Sequence, residues 1–342
     1  MNTHHDIVLS VQNLSVTFAT PDGLVRAVTD LSFDLHRGET LSIVGESGSG
    51  KSVTAASIMR LNNSGTATTT GKILLNGVDI LTADEDDVRA LRGREVAMVF
   101  QDPMSALNPY YTVGAQIDEA YFVHHPNASK AEARAVTLHM LRRVGIPNPD
   151  ARVNEYPHQF SGGMRQRIVI AIALINNPSV LIADEPTTAL DVTVQAQILD
   201  LMLELQQEFN MAIILITHDL GVVAEVAQEV IVMYGGRVVE QSSVEALFAE
   251  PVHPYASGLL NAVTSLENTA RGSLQTIPGA PPSMIAIPTG CSFHPRCEFN
   301  GGVGSLCTTE VPLLRTVGSH GSQTACHLSD EQLLNLRPRK SA

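Results

Sequence analysis

A glycine-rich segment near the N-terminus has the residue types and spacing of a phosphate-binding loop. The segment reads Gly45-Glu46-Ser47-Gly48-Ser49-Gly50-Lys51-Ser52. Its glycines allow backbone N–H groups to converge on phosphate oxygens, Lys51 would neutralise the β and γ phosphates, and the Ser52 hydroxyl would ligate Mg²⁺. The apolar run Leu41–Val44 precedes the loop. A helix predicted to begin near Lys51 adds its positive N-terminal end, so the segment predicts a nucleotide site.

Two adjacent carboxylates form the second candidate group. Asp184 and Glu185 follow the apolar run Val180–Ala183, which predicts a buried strand. The carboxyl ends of strands are where open α/β sheets bind ligands. Asp184 would hold Mg²⁺ and Glu185 would orient and polarise the attacking water. Alone, such a pair is more often a solvated strand end; in a chain with a phosphate loop, the catalytic interpretation is favoured.

The hydrophobic pattern predicts the elements that position these groups. Residues 7–43 alternate apolar and polar side chains, which predicts antiparallel strands, and residues 115–145 predict an inserted helical subdomain. From residue 168 onward helix and strand alternate, with a helix over Val192–Phe209 and a strand over Met211–Thr217. This order predicts an α/β fold whose parallel strands are covered by helices.

Composition limits the classes of partner. The 342 residues carry a formal net charge of −13, which disfavours nucleic acid and anionic lipid as partners because both need clustered Lys and Arg. No apolar run approaches the roughly 20 residues that span a bilayer, and the first residues do not have the pattern of a signal peptide. We therefore expect a cytosolic chain whose membrane role comes through a partner.

Further motifs, in a fixed order, resemble those of ATP-binding cassette (ABC) proteins. They are the signature-like segment Phe160-Ser161-Gly162-Gly163-Met164-Arg165-Gln166, the Q-loop-like Gln101, the D-loop-like Ala189-Leu190-Asp191 and the switch-like His218. The resemblance implies a P-loop ATPase cassette with a mixed-sheet core, an antiparallel β subdomain and a helical subdomain over about 105–165. Met164 departs from the family pattern, because most relatives carry Gln there.

The resemblance also implies roles that spacing alone does not show. Two cassettes would face each other head to tail, with ATP between the phosphate loop of one and the signature segment of the other. Glu185, His218 and Gln101 would be catalytic, and Gln101 would also sense the Mg²⁺ held by Ser52 and Asp184. Contacts to ATP would come from Ser161, Gly162, Gly163, Asp191 and, through ring stacking on adenine, Phe18. The alternative for Phe18 is an ordinary core residue.

The C-terminal part resembles the extension of oligopeptide and dipeptide importer ATPases. The resemblance lies in His253-Pro254-Tyr255, Gly258-Leu259-Leu260, Ile277-Pro278-Gly279 and the run Gly290–Cys297. It implies an ATPase that drives peptide import at the cytoplasmic face of the inner membrane, with a second ATPase subunit, two permease subunits and an extracytoplasmic peptide-binding protein. We expect a cassette over 1–265 and a small loop-rich extension over 266–342.

All four cysteines lie in that extension, at Cys291, Cys297, Cys307 and Cys326. In a reducing compartment this clustering disfavours disulfides and points to a metal. Structural zinc sites usually contain a tight pair of cysteines, which is lacking here, so the loose spacing and the resemblance favour a [4Fe–4S] cluster. Zn²⁺ and ordinary structural cysteines are the alternatives.

Two alternative functions remain open at the level of the sequence. One is a soluble ABC protein that acts on ribosomes or DNA, but such proteins usually carry two cassettes, long coiled coils or basic segments. The other is an importer ATPase with a different cargo, such as nickel or an opine. Cargo selection resides in other subunits.

Overall fold

The computed structural model describes residues 6–188, 190–267 and 277–336. The strands are β1 (Ile7–Thr20), β2 (Gly23–His36), β3 (Thr40–Val44), β4 (Ala67–Leu75), β5 (Val78–Asp79), β6 (Val96–Val99), β7 (Val180–Asp184), β8 (Ala212–Thr217), β9 (Glu229–Tyr234), β10 (Arg237–Ser243), β11 (Arg315–Val317) and β12 (Ser322–Thr324). The helices are α1 (Lys51–Ile58), α2 (Glu85–Leu91), α3 (Pro103–Ala106), α4 (Val113–His124), α5 (Lys130–Arg143), α6 (Pro149–Arg152), α7 (Gly162–Leu174), α8 (Val192–Phe209), α9 (Leu220–Val226), α10 (Val244–Ala249), α11 (Pro254–Glu267), α12 (Leu306–Thr309) and α13 (Asp330–Leu334).

The chain forms two compact units, and the first comprises residues up to 9, 35–39 and 74–215. In it β6 and β7 pair in parallel, with Val96 opposite Val180 and Val99 opposite Ala183. Helix α7 packs on β6 and contacts α4, α5 and α8. The helices predicted within 115–145 are present as α4 and α5, and the predicted helix Val192–Phe209 matches α8.

The second unit comprises residues 10–34, 40–73 and 216 onward. Strands β1 and β2 are neighbours in one sheet and form a hairpin. The N–H of Asn13 donates to Ser32 Oγ and the N–H of Asp30 donates to Ser15 Oγ. The partner on β2 moves back along the chain as the residue on β1 moves forward, which is the register of antiparallel strands. Strand β3 pairs in parallel with β9, and β9 pairs antiparallel with β10. The predicted combination of a mixed sheet, an antiparallel sheet and helices is confirmed.

Two short strands of the C-terminal part extend the mixed sheet, which the sequence pattern did not predict. Strand β12 pairs antiparallel with β10, with Thr324 opposite Glu240, and β11 pairs with β12. Each has only three residues, too few for a period of two to be visible. The domain boundary near 265 stays a prediction, because residues 268–276 lie outside the described part of the chain.

The strands that precede the candidate site residues are buried along their whole length. Every residue of β3, β7 and β8 is buried, as expected for strands covered on both faces. In the ranges that the structure describes, no helix is long and apolar enough to cross a membrane.

Candidate nucleotide site

The phosphate loop follows β3 and has the backbone that its glycines allow. Gly45, Gly48 and Gly50 have φ angles of 152°, 78° and 105°, which side chains other than glycine rarely adopt. A Cβ atom on Gly45 would lie 2.2 Å from the carbonyl oxygen of Met233, and one on Gly50 would lie 2.3 Å from that of Ala27. The glycines are therefore required by close packing as well as by conformation.

Lys51 begins α1 and turns back over the loop. Its side chain is only 6% exposed, and its Nζ donates to the carbonyl oxygens of Gly45 (2.8 Å) and Glu46 (3.1 Å). The buried Ser49 hydroxyl has no hydrogen-bond partner among the described residues, while a Cβ on Gly48 would meet open space. An unpaired hydroxyl, an ammonium group and an open loop face together suit a phosphate chain. Ser52 follows Lys51 and is exposed.

Glu46 is held by residues far away in the sequence, all in the second unit. Its backbone N–H donates to Tyr255 Oη (2.9 Å), and its carboxylate accepts two bonds from the Arg296 guanidinium (2.7 and 3.1 Å). Tyr234 Oη also accepts from Arg296 (3.2 Å). Burial raises the pKa of Tyr255, so its hydroxyl stays protonated at neutral pH. Sequence reasoning missed these contacts, because no pattern links positions 46 and 296.

The two carboxylates lie at the end of β7 as predicted, with Asp184 as its last residue and Glu185 directly after it. Asp184 is 8% exposed, and Glu185 has a φ of 47°, an uncommon conformation for a residue with a side chain. Glu185 Oε2 accepts from Gln101 Nε2 (2.8 Å) and from Thr188 Oγ1 (2.9 Å). The structure thus brings the predicted Gln101 and Glu185 together. Thr188 was missed, although it lies three residues after Glu185.

The signature segment and the D-loop meet at the starts of two helices. Ser161 caps α7 by accepting the N–H of Met164, and Asp191 caps α8 by accepting the N–H of Val194. A Cβ on Gly163 would lie 2.6 Å from Val194 Cγ1, so only glycine lets the helices approach this closely.

Gly162 faces the same region, since a Cβ there would lie 3.7 Å from Leu190 Cδ2. Ala189, the first residue of the predicted D-loop, lies outside the described residues. The capping shows what Ser161 and Asp191 do within the chain. Their predicted contacts to ATP stay predictions.

Met164, the departure from the family pattern, contacts an arginine that the sequence did not point to. Arg152 Nη1 lies 3.1 Å from the Met164 sulfur, and its guanidinium lies 4.7 Å from the centre of the Phe160 ring. Its Nε also donates to Glu155 Oε2 (3.1 Å). Arg152, the last residue of α6, therefore contacts two residues of the signature segment as well as the nearby Glu155.

Two further predicted residues are His218 and Phe18. His218 is exposed directly after β8, where Thr217 Oγ1 accepts the N–H of Asp219. Phe18 is half-buried on β1. Their roles at the nucleotide stay predictions.

The iron–sulfur prediction is not supported by the structure. All four cysteines lie in the described ranges, and Cys297 is within electrostatic reach of the other three thiols. Yet no three His, Cys, Asp or Glu side chains of the described residues are gathered so that they could hold a metal ion, which applies to zinc as well. Burial raises the pKa of Cys291 to about 11 and that of Cys297 to about 12, so both thiols are protonated at neutral pH in the metal-free chain.

The alternative of structural cysteines fits the packing. Cys291 and Cys307 are buried in one apolar cluster with Tyr234, Tyr255 and Phe293, and Cys326 is buried in a neighbouring cluster. The correction does not affect the predicted Mg²⁺, which proteins bind through one or two side chains together with phosphate oxygens and water.

Two family models match the chain. The ABC transporter model matches residues 28–188, and the model of the oligopeptide/dipeptide transporter C-terminal region matches residues 239–302. The first range contains the phosphate loop, Gln101, the signature segment and the two carboxylates. The second contains Tyr255 and Arg296.

Similar proteins and structures agree with these matches. The oligopeptide transport ATP-binding protein OppD of Salmonella typhimurium is 50% identical, with 96% of each chain covered. The dipeptide transport ATP-binding protein DppD of Bacillus subtilis is also 50% identical, over 95% of this chain and 96% of the relative.

Among solved structures, the dimeric ATP-binding cassette MJ0796 bound to ADP and Pi is 28% identical with a TM-score of 0.61, and covers 69% of this chain and 98% of its own. The cbiO1 subunit of Clostridium perfringens, part of a cbiONQ transporter complex, is 28% identical with a TM-score of 0.60, and covers 76% of this chain and 95% of its own. The chain belongs to the ABC transporter ATPases, and within them to the family of oligopeptide and dipeptide transport ATP-binding proteins.

Proposed function

We propose that this chain hydrolyses ATP to drive peptide import through an ABC transporter. The observation that carries the hydrolytic part is the Glu185 carboxylate, which Gln101 and Thr188 hold directly after the buried Asp184. The peptide part is supported by the identity of 50% to oligopeptide and dipeptide transport subunits along nearly the whole chain.

The side chains divide the chemistry among them. Lys51 would neutralise the β and γ phosphates, and its bonds to two loop carbonyls keep the ammonium in the loop. Ser52 and Asp184 would hold the Mg²⁺, with Gln101 beside it, and the ion would supply charge compensation. Glu185 would accept a proton from the attacking water as the γ-phosphate transfers.

The remaining predicted residues complete this assignment. His218 would contact the γ-phosphate, and Phe18 would stack on the adenine. The backbone N–H groups of the glycine-rich loop would donate to the phosphate oxygens, as in other loops whose successive N–H groups bind anions.

The signature segment would serve the ATP of a partner cassette. Ser161 with Gly162 and Gly163 begins a 13-residue helix, and the N–H groups there form a positive end suited to the γ-phosphate. Asp191 begins the adjacent helix α8. The dimeric cassette MJ0796 supports such an assembly, which would join this chain to an identical or a different ATPase subunit.

The assembly would contain two transmembrane permeases and an extracytoplasmic peptide-binding protein. Association at the cytoplasmic face of the inner membrane would then be peripheral, through the permeases. The acidic charge of −13 supports partners other than nucleic acid.

The test is peptide uptake by vesicles that contain the assembled transporter. Glu185→Gln keeps the shape of the side chain and an oxygen that can accept from Gln101 and Thr188, but it loses the base, so ATP should still bind while hydrolysis and uptake fall by about 10²-fold or more. Glu204→Gln, at an exposed position on α8, is the matched control and should behave like the parent. Parental hydrolysis in the Glu185→Gln transporter would contradict the catalytic role.

A further inference from the structure

The polar groups of Glu46 connect the phosphate loop to Tyr255 and to Arg296 of the C-terminal extension. Its carbonyl oxygen accepts from Lys51 Nζ, its N–H donates to Tyr255 Oη, and its carboxylate accepts from Arg296. A displacement of Glu46 would therefore move an acceptor that orients the Lys51 ammonium.

Arg296 has the geometry of a built contact. Its side chain is only 7% exposed, and Nη1 and Nη2 reach the two Glu46 oxygens at 2.7 and 3.1 Å, an arrangement that fixes direction as well as distance. Its Nε donates to the Pro278 carbonyl oxygen (2.8 Å). One guanidinium thus connects the phosphate loop to two separate segments of the extension.

The extension also lines the loop itself. Pro281, Pro282 and Met284 border a narrow crevice together with Ser47 and Gly48. Strand β2 holds this segment of the extension, because the N–H of Arg26 on β2 donates to the Met284 carbonyl oxygen (3.4 Å). The loop is therefore braced along one side by residues 281–284 and from another direction by Arg296.

We propose that Arg296 is a positioning residue for the phosphate loop, so that ATP affinity depends on the C-terminal extension. The inference rests on the proposed function, since it concerns the same nucleotide site. Arg296 acts through Glu46 on the Lys51 ammonium and does not itself contact the nucleotide. The extension then serves as a structural part of the ATP site.

The experiment measures the Kd of a fluorescent ATP analogue for the full-length chain and the KM for ATP of the assembled transporter. Glu46→Gln removes the charge but leaves the bonds of Arg296 to the extension, and Arg296→Lys keeps the charge but loses the two-pronged contact. Each should raise Kd and KM by about tenfold, while kcat changes less because Glu185 and Gln101 are untouched.

Two controls separate this inference from a loss of folding and from the proposed function. Arg142→Lys alters an exposed arginine that also bonds both oxygens of a carboxylate, that of Asp150, and should leave Kd unchanged. The unfolding temperature of Glu46→Gln should differ from that of the parent by no more than the unfolding temperature of the Arg142→Lys control does. Lys51→Ala, measured in parallel, should abolish binding.

The outcomes are distinct. Loss of binding in Lys51→Ala with parental Kd in both Glu46→Gln and Arg296→Lys overturns the positioning role and leaves the nucleotide site in place. Parental binding in Lys51→Ala overturns the nucleotide site itself. A rise in Kd for Glu46→Gln at an unchanged unfolding temperature, with Arg142→Lys unaffected, supports the inference.

Discussion

The buried carboxyl group of Glu240 makes stability depend on pH in a calculable way. The side chain is fully buried on β10, where its carboxyl group accepts the Val252 N–H (3.0 Å) and faces the His253 N–H. Burial raises the pKa of Glu240 from 4.5 to about 8. The folded state therefore holds a proton that the unfolded chain releases above pH 4.5, so the contribution of Glu240 to stability falls as pH rises from about 4.5 to 8.

The neighbouring His253 acts in the opposite direction. Burial lowers its pKa from 6.5 to about 3, so the folded state lacks a proton that the unfolded chain carries, and its contribution to stability rises from pH 3 to 6.5. Each group changes the free energy of unfolding by about 1.4 kcal/mol per pH unit within its window. The two effects cancel between about pH 4.5 and 6.5. From about pH 6.5 to 8 only the Glu240 effect remains, a loss of about 2 kcal/mol.

Glu240→Gln isolates this effect, because the amide oxygen can still accept the Val252 N–H without titrating. Urea unfolding of parent and variant at pH 5, 6.5, 8 and 9 gives the difference in unfolding free energy at each pH. The free energy of unfolding of the variant, relative to that of the parent, should increase by about 1.4 kcal/mol per pH unit up to pH 8. Above pH 8 the difference should stay constant. Glu245→Gln, at an exposed position on α10, should show no such trend. A difference that is constant from pH 5 to 9 would refute the assignment.

Three further predictions concern the nucleotide site. Lys51→Ala should lose most ATP binding, measured by equilibrium dialysis, because the phosphates lose their fixed counterion; binding as tight as in the parent would exclude the loop as the site. Gly163→Ala should lower hydrolysis of the assembled transporter while ATP still binds, since the new Cβ would lie 2.6 Å from Val194 Cγ1, and adding Val194→Ala should restore activity. Arg152→Ala should lower the free energy of unfolding by about 1–3 kcal/mol in urea melts, because it removes the contacts to Glu155, Phe160 and Met164 together; an unchanged midpoint would contradict this.

The nucleotide motifs could be predicted from sequence because each is local. The phosphate loop needs glycines at fixed offsets, and its backbone then determines where Lys51 lies. The carboxylates at the end of β7 could be predicted for the same reason, because the apolar run before them indicates a buried strand and they come at its end. That Gln101 bonds to Glu185 was not derivable from spacing, since 84 positions separate them and only the fold brings them together.

The cysteines show the opposite case, in which spacing suggested a site that the packing does not bear out. Four thiols in one loop-rich segment match the number of ligands of an iron–sulfur cluster. Spacing does not report where the side chains lie, and here Cys291 and Cys307 are buried in an apolar cluster with aromatic side chains, while no three potential metal ligands of the described residues come together. Measuring the iron and labile sulfide content of anaerobically purified protein tests independently whether the four cysteines hold an iron–sulfur cluster.

The position of Arg296 explains why the extension could not be assigned a role from sequence. It lies in the run Gly290–Cys297, where the cysteines draw attention, yet its strongest contact is with Glu46, 250 positions earlier. Glu46 in turn occupies a variable position of the phosphate-loop pattern, so neither residue stands out alone. A buried arginine paired with a carboxylate is costly unless both are held in place. Tyr234 and Pro278 hold the guanidinium and Tyr255 holds the Glu46 backbone, which ties the geometry of the ATP loop to residues that follow the cassette motifs.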